Sequence, residues 1–121
     1  RSLIMSNGSA AILFVDPGSF AVQRYIVVTD PFSEVGFLNE LEYVDGEIYA
    51  NVWKTNYIVR FSAQSGNVSG WIDLNGLDPD PAKLAYPHVL NGIAHKPDDD
   101  TLLVTGKNWP SLWQITLKPA R

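Results

Sequence analysis

Leu41-Glu42-Tyr43-Val44-Asp45-Gly46-Glu47-Ile48-Tyr49-Ala50-Asn51-Val52 is the stretch on which the fold turns. Two runs rich in β-branched and aromatic residues flank Asp45-Gly46, a dipeptide suited to a two-residue turn because both positions tolerate positive φ. The stretch therefore predicts a tight β-hairpin. Tyr57-Ile58-Val59-Arg60-Phe61 and Val68-Ser69-Gly70-Trp71-Ile72 follow and bring the unit to four strands. Upstream, Leu3-Ile4-Met5 ends at Ser6-Asn7-Gly8-Ser9, Ala11-Ile12-Leu13-Phe14-Val15 stops at Asp16-Pro17-Gly18, and Tyr25-Ile26-Val27-Val28 ends at Asp30-Pro31. Downstream, Asp78-Pro79-Asp80-Pro81 and Pro87 mark a loop too rich in proline for a central strand. Gly92-Ile93-Ala94-His95, Thr101-Leu102-Leu103-Val104 and Leu112-Trp113-Gln114-Ile115-Thr116 complete the set. No segment carries a convincing helical period.

The strands repeat. Ile12-Leu13-Phe14-Val15 up to Val22 matches Ile58-Val59-Arg60-Phe61 up to Val68 at a spacing of 46 residues, and Leu112-Trp113-Gln114-Ile115 takes the same slot 54 residues later. A repeat of that length with about four short strands points to propeller blades, although a β-sandwich also supplies many short strands. The expected fold is all-β and part of a propeller, within a single partial domain spanning 1–121. The blades fall roughly at 1–36, 37–77 and 88–121, the first without its first strand and the last without its last, about two and a half in all. A ring takes at least about four blades. The start, Arg1-Ser2-Leu3-Ile4-Met5-Ser6, is neither a signal peptide nor a methionine start, and it reads as the middle of a strand. The expectation is a piece of something longer.

Composition removes several classes of function. The 121 residues carry nine Lys and Arg against 13 Asp and Glu, and no two basic residues are adjacent. That argues against a nucleic-acid surface and a polybasic membrane contact. The absence of cysteine excludes disulfides, thiolate metal sites and a thiol nucleophile. No apolar run reaches the length of a transmembrane helix. His88 and His95 have no third ligand nearby, so a zinc site is not expected. Asp98-Asp99-Asp100 lacks the alternating spacing of a calcium loop and reads as a solvated turn. Asn7-Gly8-Ser9 and Asn67-Val68-Ser69 match the glycosylation pattern, a match common by chance.

Three peptides place polar groups at matching positions of the repeats: Leu38-Asn39-Glu40-Leu41-Glu42-Tyr43, Ala50-Asn51-Val52-Trp53 and Thr105-Gly106-Lys107-Asn108-Trp109-Pro110. Together with Leu3-Ile4-Met5-Ser6-Asn7-Gly8-Ser9 and Val89-Leu90-Asn91-Gly92-Ile93-Ala94, they resemble the plant-type and bacterial glutaminyl cyclases, also called glutamine cyclotransferases, in the family's order from Leu3 to Leu117. The resemblance implies the C-terminal half of a five-bladed propeller. It implies an acyltransferase that converts the N-terminal Gln of a peptide to pyroglutamate with release of ammonia, without metal or other cofactor. The implied partners are such a peptide and the N-terminal blades of the same protein, with no nucleic acid and no membrane. Family analogy suggests a secreted or periplasmic location.

By resemblance, Lys107 and Asn39 are catalytic pocket residues that hydrogen-bond the reacting amide or stabilise its charge. Asn39 and Trp53 bind substrate, Trp53 as an aromatic wall. The family's carboxylate general acid/base sits in a Phe-Gly-Glu-Gly-like peptide that is missing here, and Glu40 and Glu42 belong to a different motif. Asn7 stands where the family usually has Asp, and Asn suits a positive-φ turn equally well. Each candidate also has a bland reading. Lys107 reads as a solvated hairpin lysine, Asn39 as a turn cap or a partner for buried backbone, and Trp53 as a buried packing residue. Trp71, Trp109 and Trp113 are assigned to blade packing, and Asn91-Gly92 to shaping an innermost strand. The competing class is a non-catalytic propeller fragment that binds a peptide or protein partner.

Overall fold

A computed structural model describes residues 1–120. Among the described residues, ten strands form three antiparallel sheets. β1 (Leu3–Ser6), β2 (Ala11–Val15) and β3 (Val22–Val27) make the first sheet, in that order. β4 (Leu38–Val44), β5 (Glu47–Val52), β6 (Tyr57–Ser62) and β7 (Val68–Asp73) make the four-stranded middle sheet. β8 (Leu90–Lys96), β9 (Thr101–Gly106) and β10 (Trp113–Ile115) make the third. Among the described residues, one 3-10 turn, Pro81–Lys83, lies in the proline-rich loop, with Asp80 capping it through the N–H of Ala82. No helix among the described residues is long and apolar enough to cross a membrane.

The deciding hairpin forms as its turn chemistry demands. Asp45 and Gly46 take φ of 48° and 87°, the two positive values a tight turn between twisted strands needs. The repeat is visible in the register. β2 and β6 both carry a bulge toward their outer neighbour, between Phe14 and Val15 and between Arg60 and Phe61. β4 and β8 share another, between Leu38 and Leu41 and between Leu90 and Ile93. These paired bulges make β4 and β8 equivalent, and they make β1-β2-β3 the counterpart of β5-β6-β7.

The sheets lie side by side and bury two cores. Ile12, Phe14, Ile48, Ala50, Val59 and Phe61 join the first sheet to the middle one, whereas Tyr49, Ile58, Ile93, Leu102 and Val104 join the middle sheet to the third. β5 and β6 are covered on both faces, which is why they read as nearly continuous apolar runs. β4 packs against β8 and β1 against β4, so the inner strands succeed one another around a common side.

Side chains staple β4 and β5 to β8. The Ile93 N–H donates to Glu40 at 2.6 Å, the His95 N–H to Glu42 at 3.4 Å, and the Gly92 N–H to the Asn51 amide oxygen at 2.9 Å. Asn51 is fully buried. Its replacement by alanine leaves the Gly92 N–H without an acceptor and is expected to cost about 1–3 kcal/mol. A lower denaturant midpoint with an unchanged slope would register that loss.

Glu40 is half-buried, and burial pushes its carboxyl above the ordinary glutamate range, with the nearby Glu42 adding to the rise and the Ile93 N–H opposing it. The folded state therefore holds this proton more tightly than the unfolded chain. Its contribution is fully present below the ordinary glutamate pKa and is lost as pH rises through the raised folded value. Glu40→Gln keeps an acceptor for the Ile93 N–H and removes the charge. It is expected to stabilise at neutral pH by under about 1 kcal/mol, discounted for partial exposure, with no gain below the glutamate range. Thermal melts at the two pH values check this.

Candidate active site

The same turn recurs at one end of each sheet. Asn7-Gly8 follows β1, Trp53-Lys54 follows β5 and Lys107-Asn108 follows β9, and the second residue of each pair is left-handed, with φ of 86°, 64° and 60°. The three turns lie on the shared side of the sheets. Asn7, Trp53 and Lys107 accordingly line one cavity of about 460 Å³, together with Ser6, Gly8, Phe37, Leu38 and Asn39.

The structure thus brings Asn39, Trp53 and Lys107 to one wall. Asn39 sits in the β4 bulge, where its carbonyl accepts a hydrogen bond from Ser6 Oγ at 2.6 Å. Trp53 is 37% exposed rather than buried, because its turn holds the ring at the cavity mouth and not between sheets. Lys107 is held by its own N–H, which donates to the Val89 carbonyl at 2.9 Å, and its ammonium has no carboxylate partner among the described residues. Among the described residues, no Asp or Glu lines the cavity. Glu40, although next to Asn39, turns its carboxylate to β8.

Of the five lining residues that are not sequence candidates, Asn7 and Phe37 bear most on the site. Asn7 takes the same turn position as Trp53 and Lys107, and aligning the three hairpins by their turns would have found it. Its amide oxygen accepts from the Ser9 N–H at 3.0 Å and from Ser9 Oγ, which fixes the side chain within the turn. Phe37 is 64% exposed with φ of 57°, a strained conformation for a large side chain. Its N–H donates to the Gly8 carbonyl and its carbonyl accepts from the Trp53 N–H, so it bridges two of the turns.

The remaining candidates have other tasks. His95 Nε2 lies 2.9 Å from Asp100, while Asp99 accepts from Thr101 Oγ1 and Lys96 Nζ, which holds its carboxyl below the usual range. No group of residues suited to a metal ion is found among the described residues. Trp109 and Trp113 pack on the second core, and Trp109 Nε1 donates to the His88 carbonyl at 2.8 Å. Trp71 is nearly half exposed on the outer strand β7, where it pairs with Val59 and makes a T-shaped contact with Tyr57 at 6.4 Å between centroids, so it packs only in part. Gly92 occupies the β8 bulge against Thr105. Two larger hollows, of about 820 and 910 Å³, lie elsewhere: one runs along β7 and the segment after β10, the other between the first and middle sheets beside Tyr43, Gly46 and Ala63, and neither contains Asn39, Trp53 or Lys107.

Antiparallel sheets set side by side, with equivalent inner turns converging on one cavity, define part of a β-propeller with a site on its axial side. The chain belongs to the glutamine cyclotransferase family, whose sequence model matches residues 1–117. It is 41% identical over 122 residues to the glutaminyl-peptide cyclotransferase of Arabidopsis thaliana, covering 99% of this chain and 38% of that protein. The crystal structure of Myxococcus xanthus glutaminyl cyclase superimposes with a TM-score of 0.86 at 35% identity, over 93% of this chain and 50% of that one. The chain thus spans half or less of the length of these relatives.

Proposed function

We propose that this chain forms part of the active site of a glutaminyl-peptide cyclotransferase, an acyltransferase that closes the N-terminal Gln of a peptide to pyroglutamate. The observation that carries the reading is the convergence of Asn39, Trp53 and Lys107 on one cavity. In the reaction the neutral α-amine attacks the side-chain amide carbon and gives up one proton, the C–N bond to the amide nitrogen breaks, and that nitrogen takes up one proton and leaves as ammonia. Holding amine and amide together supplies a large effective molarity. The Asn39 amide and the Lys107 ammonium are donors for the oxyanion that develops on the amide oxygen. Trp53 and Phe37 shield that charge from water.

The leaving ammonia needs a general acid. With no carboxylate on this wall, we assign that role to a group outside these 121 residues, in the remainder of a longer propeller. The test is ammonia release from a Gln-initiated peptide by the full-length protein, with the same peptide starting in Glu as control. Release from the first alone is the expected result. Binding of the Gln peptide without ammonia release would favour a non-catalytic peptide-binding propeller instead.

A further inference from the structure

The turn that carries Trp53 breaks a local rule that its two counterparts keep. Gly8 and Asn108 are residue types that adopt left-handed φ at little cost, whereas Lys54 adopts it at a penalty. Strain of this kind persists only where the surrounding structure holds it, and it clusters at ligand-binding sites. The Lys54 ammonium lies 4.5 Å from the centroid of the Trp53 ring and 5.0 Å from that of Tyr86, which the proline-rich loop brings to the same place. Tyr86 is 70% exposed. Lys54 forms no ion pair among the described residues. The cation is therefore held by two aromatic faces without a carboxylate partner, next to Trp53 of a cavity whose charged lining residue, Lys107, is also positive. In a chain of net charge −4, this is a local reversal of sign.

We propose that Lys54, with Tyr86, forms a subsite on the rim for the residue after the N-terminal Gln, and that it favours an acidic side chain there. The inference rests on the cyclotransferase reading. With the first residue in the cavity, the peptide must leave across the mouth, where Trp53 is exposed. One residue of extended chain advances about 3.5 Å, which carries the second side chain past the Trp53 ring to the ammonium above it. A carboxylate there gains the attraction that no protein group supplies, and a basic side chain meets repulsion.

The experiment compares kcat/KM on the full-length protein for peptides that start Gln-Glu, Gln-Ala and Gln-Lys. The Gln-Glu peptide is expected to exceed the Gln-Lys peptide by about tenfold at low salt, the range of two modest exposed charge interactions, with the ratio falling at high salt. In Lys54→Asn the ratio should fall to about twofold or less. The variant copies the residue that Asn108 places at the equivalent turn, and Lys54→Gly, which copies Gly8, is the second. The ratio is internal to each protein, so a general loss of activity does not affect it. A wild-type protein indifferent to the second residue, or variants that keep the full ratio, would overturn the subsite and leave the cyclotransferase reading standing. Failure to turn over any of the peptides would overturn that reading and the subsite with it.

Discussion

Lys107→Ala is expected to lower turnover of a Gln-initiated peptide by about 100- to 1,000-fold, the usual cost of removing one donor from a developing oxyanion. The loss should fall on kcat more than on KM, because the amide oxygen gains most of its negative charge only as the ring closes. Stability should hardly move. The side chain is exposed and makes no ion pair among the described residues, so its removal is expected to stay within about 0.5 kcal/mol. Ammonia release and a thermal melt on the same preparation separate the two effects. Unchanged turnover would return Lys107 to an ordinary hairpin lysine, and a parallel loss of melting temperature would make its role structural.

The ten strands were legible because turn residues punctuate short apolar runs, and Asp45-Gly46 left one reading for the central hairpin. Strand starts were less legible where pairing is irregular. β4 begins at Leu38 and β8 at Leu90, each ahead of its bulge. Asn39-Glu40 and Asn91-Gly92 occupy those bulges and break the alternation that a sequence reading follows. The bulges matter to the site, since one of them carries Asn39.

The candidate site was legible through its motifs and not through the hydrophobic pattern. Nothing in periodicity distinguishes Trp53 at a cavity mouth from a buried tryptophan, and the difference lies in the left-handed turn at Lys54. Phe37 was invisible because a non-glycine residue at positive φ carries no signal in its own identity. Glu40 and Glu42 bond to backbone N–H groups 53 residues away, a partnership that only the packing of β4 on β8 creates.

Gly66→Ala tests how the first and middle sheets are locked together. Gly66 sits in the β6–β7 turn at φ of 80°, and its carbonyl accepts the Thr29 N–H beyond the end of β3. A Cβ on Gly66 would fall on the carbonyl of Val27, 2.9 Å from its carbon and nearer still to its oxygen. Backbone cannot yield as a flexible side chain would, so the turn must move off β3. Left-handed φ adds about 1–2 kcal/mol for alanine. The sum is expected to reach about 3 kcal/mol or more, in the range of substitutions that undo a specific packing feature. Phe20 supplies the control, because it holds the equivalent position 46 residues earlier with φ of 59°. Its side chain is 70% exposed. Phe20→Ala therefore keeps the same backbone conformation in open space and should change stability by less than about 1 kcal/mol. If chemical denaturation gave the two variants equal losses, the close approach of Gly66 to Val27 would not be what holds the first two sheets in register.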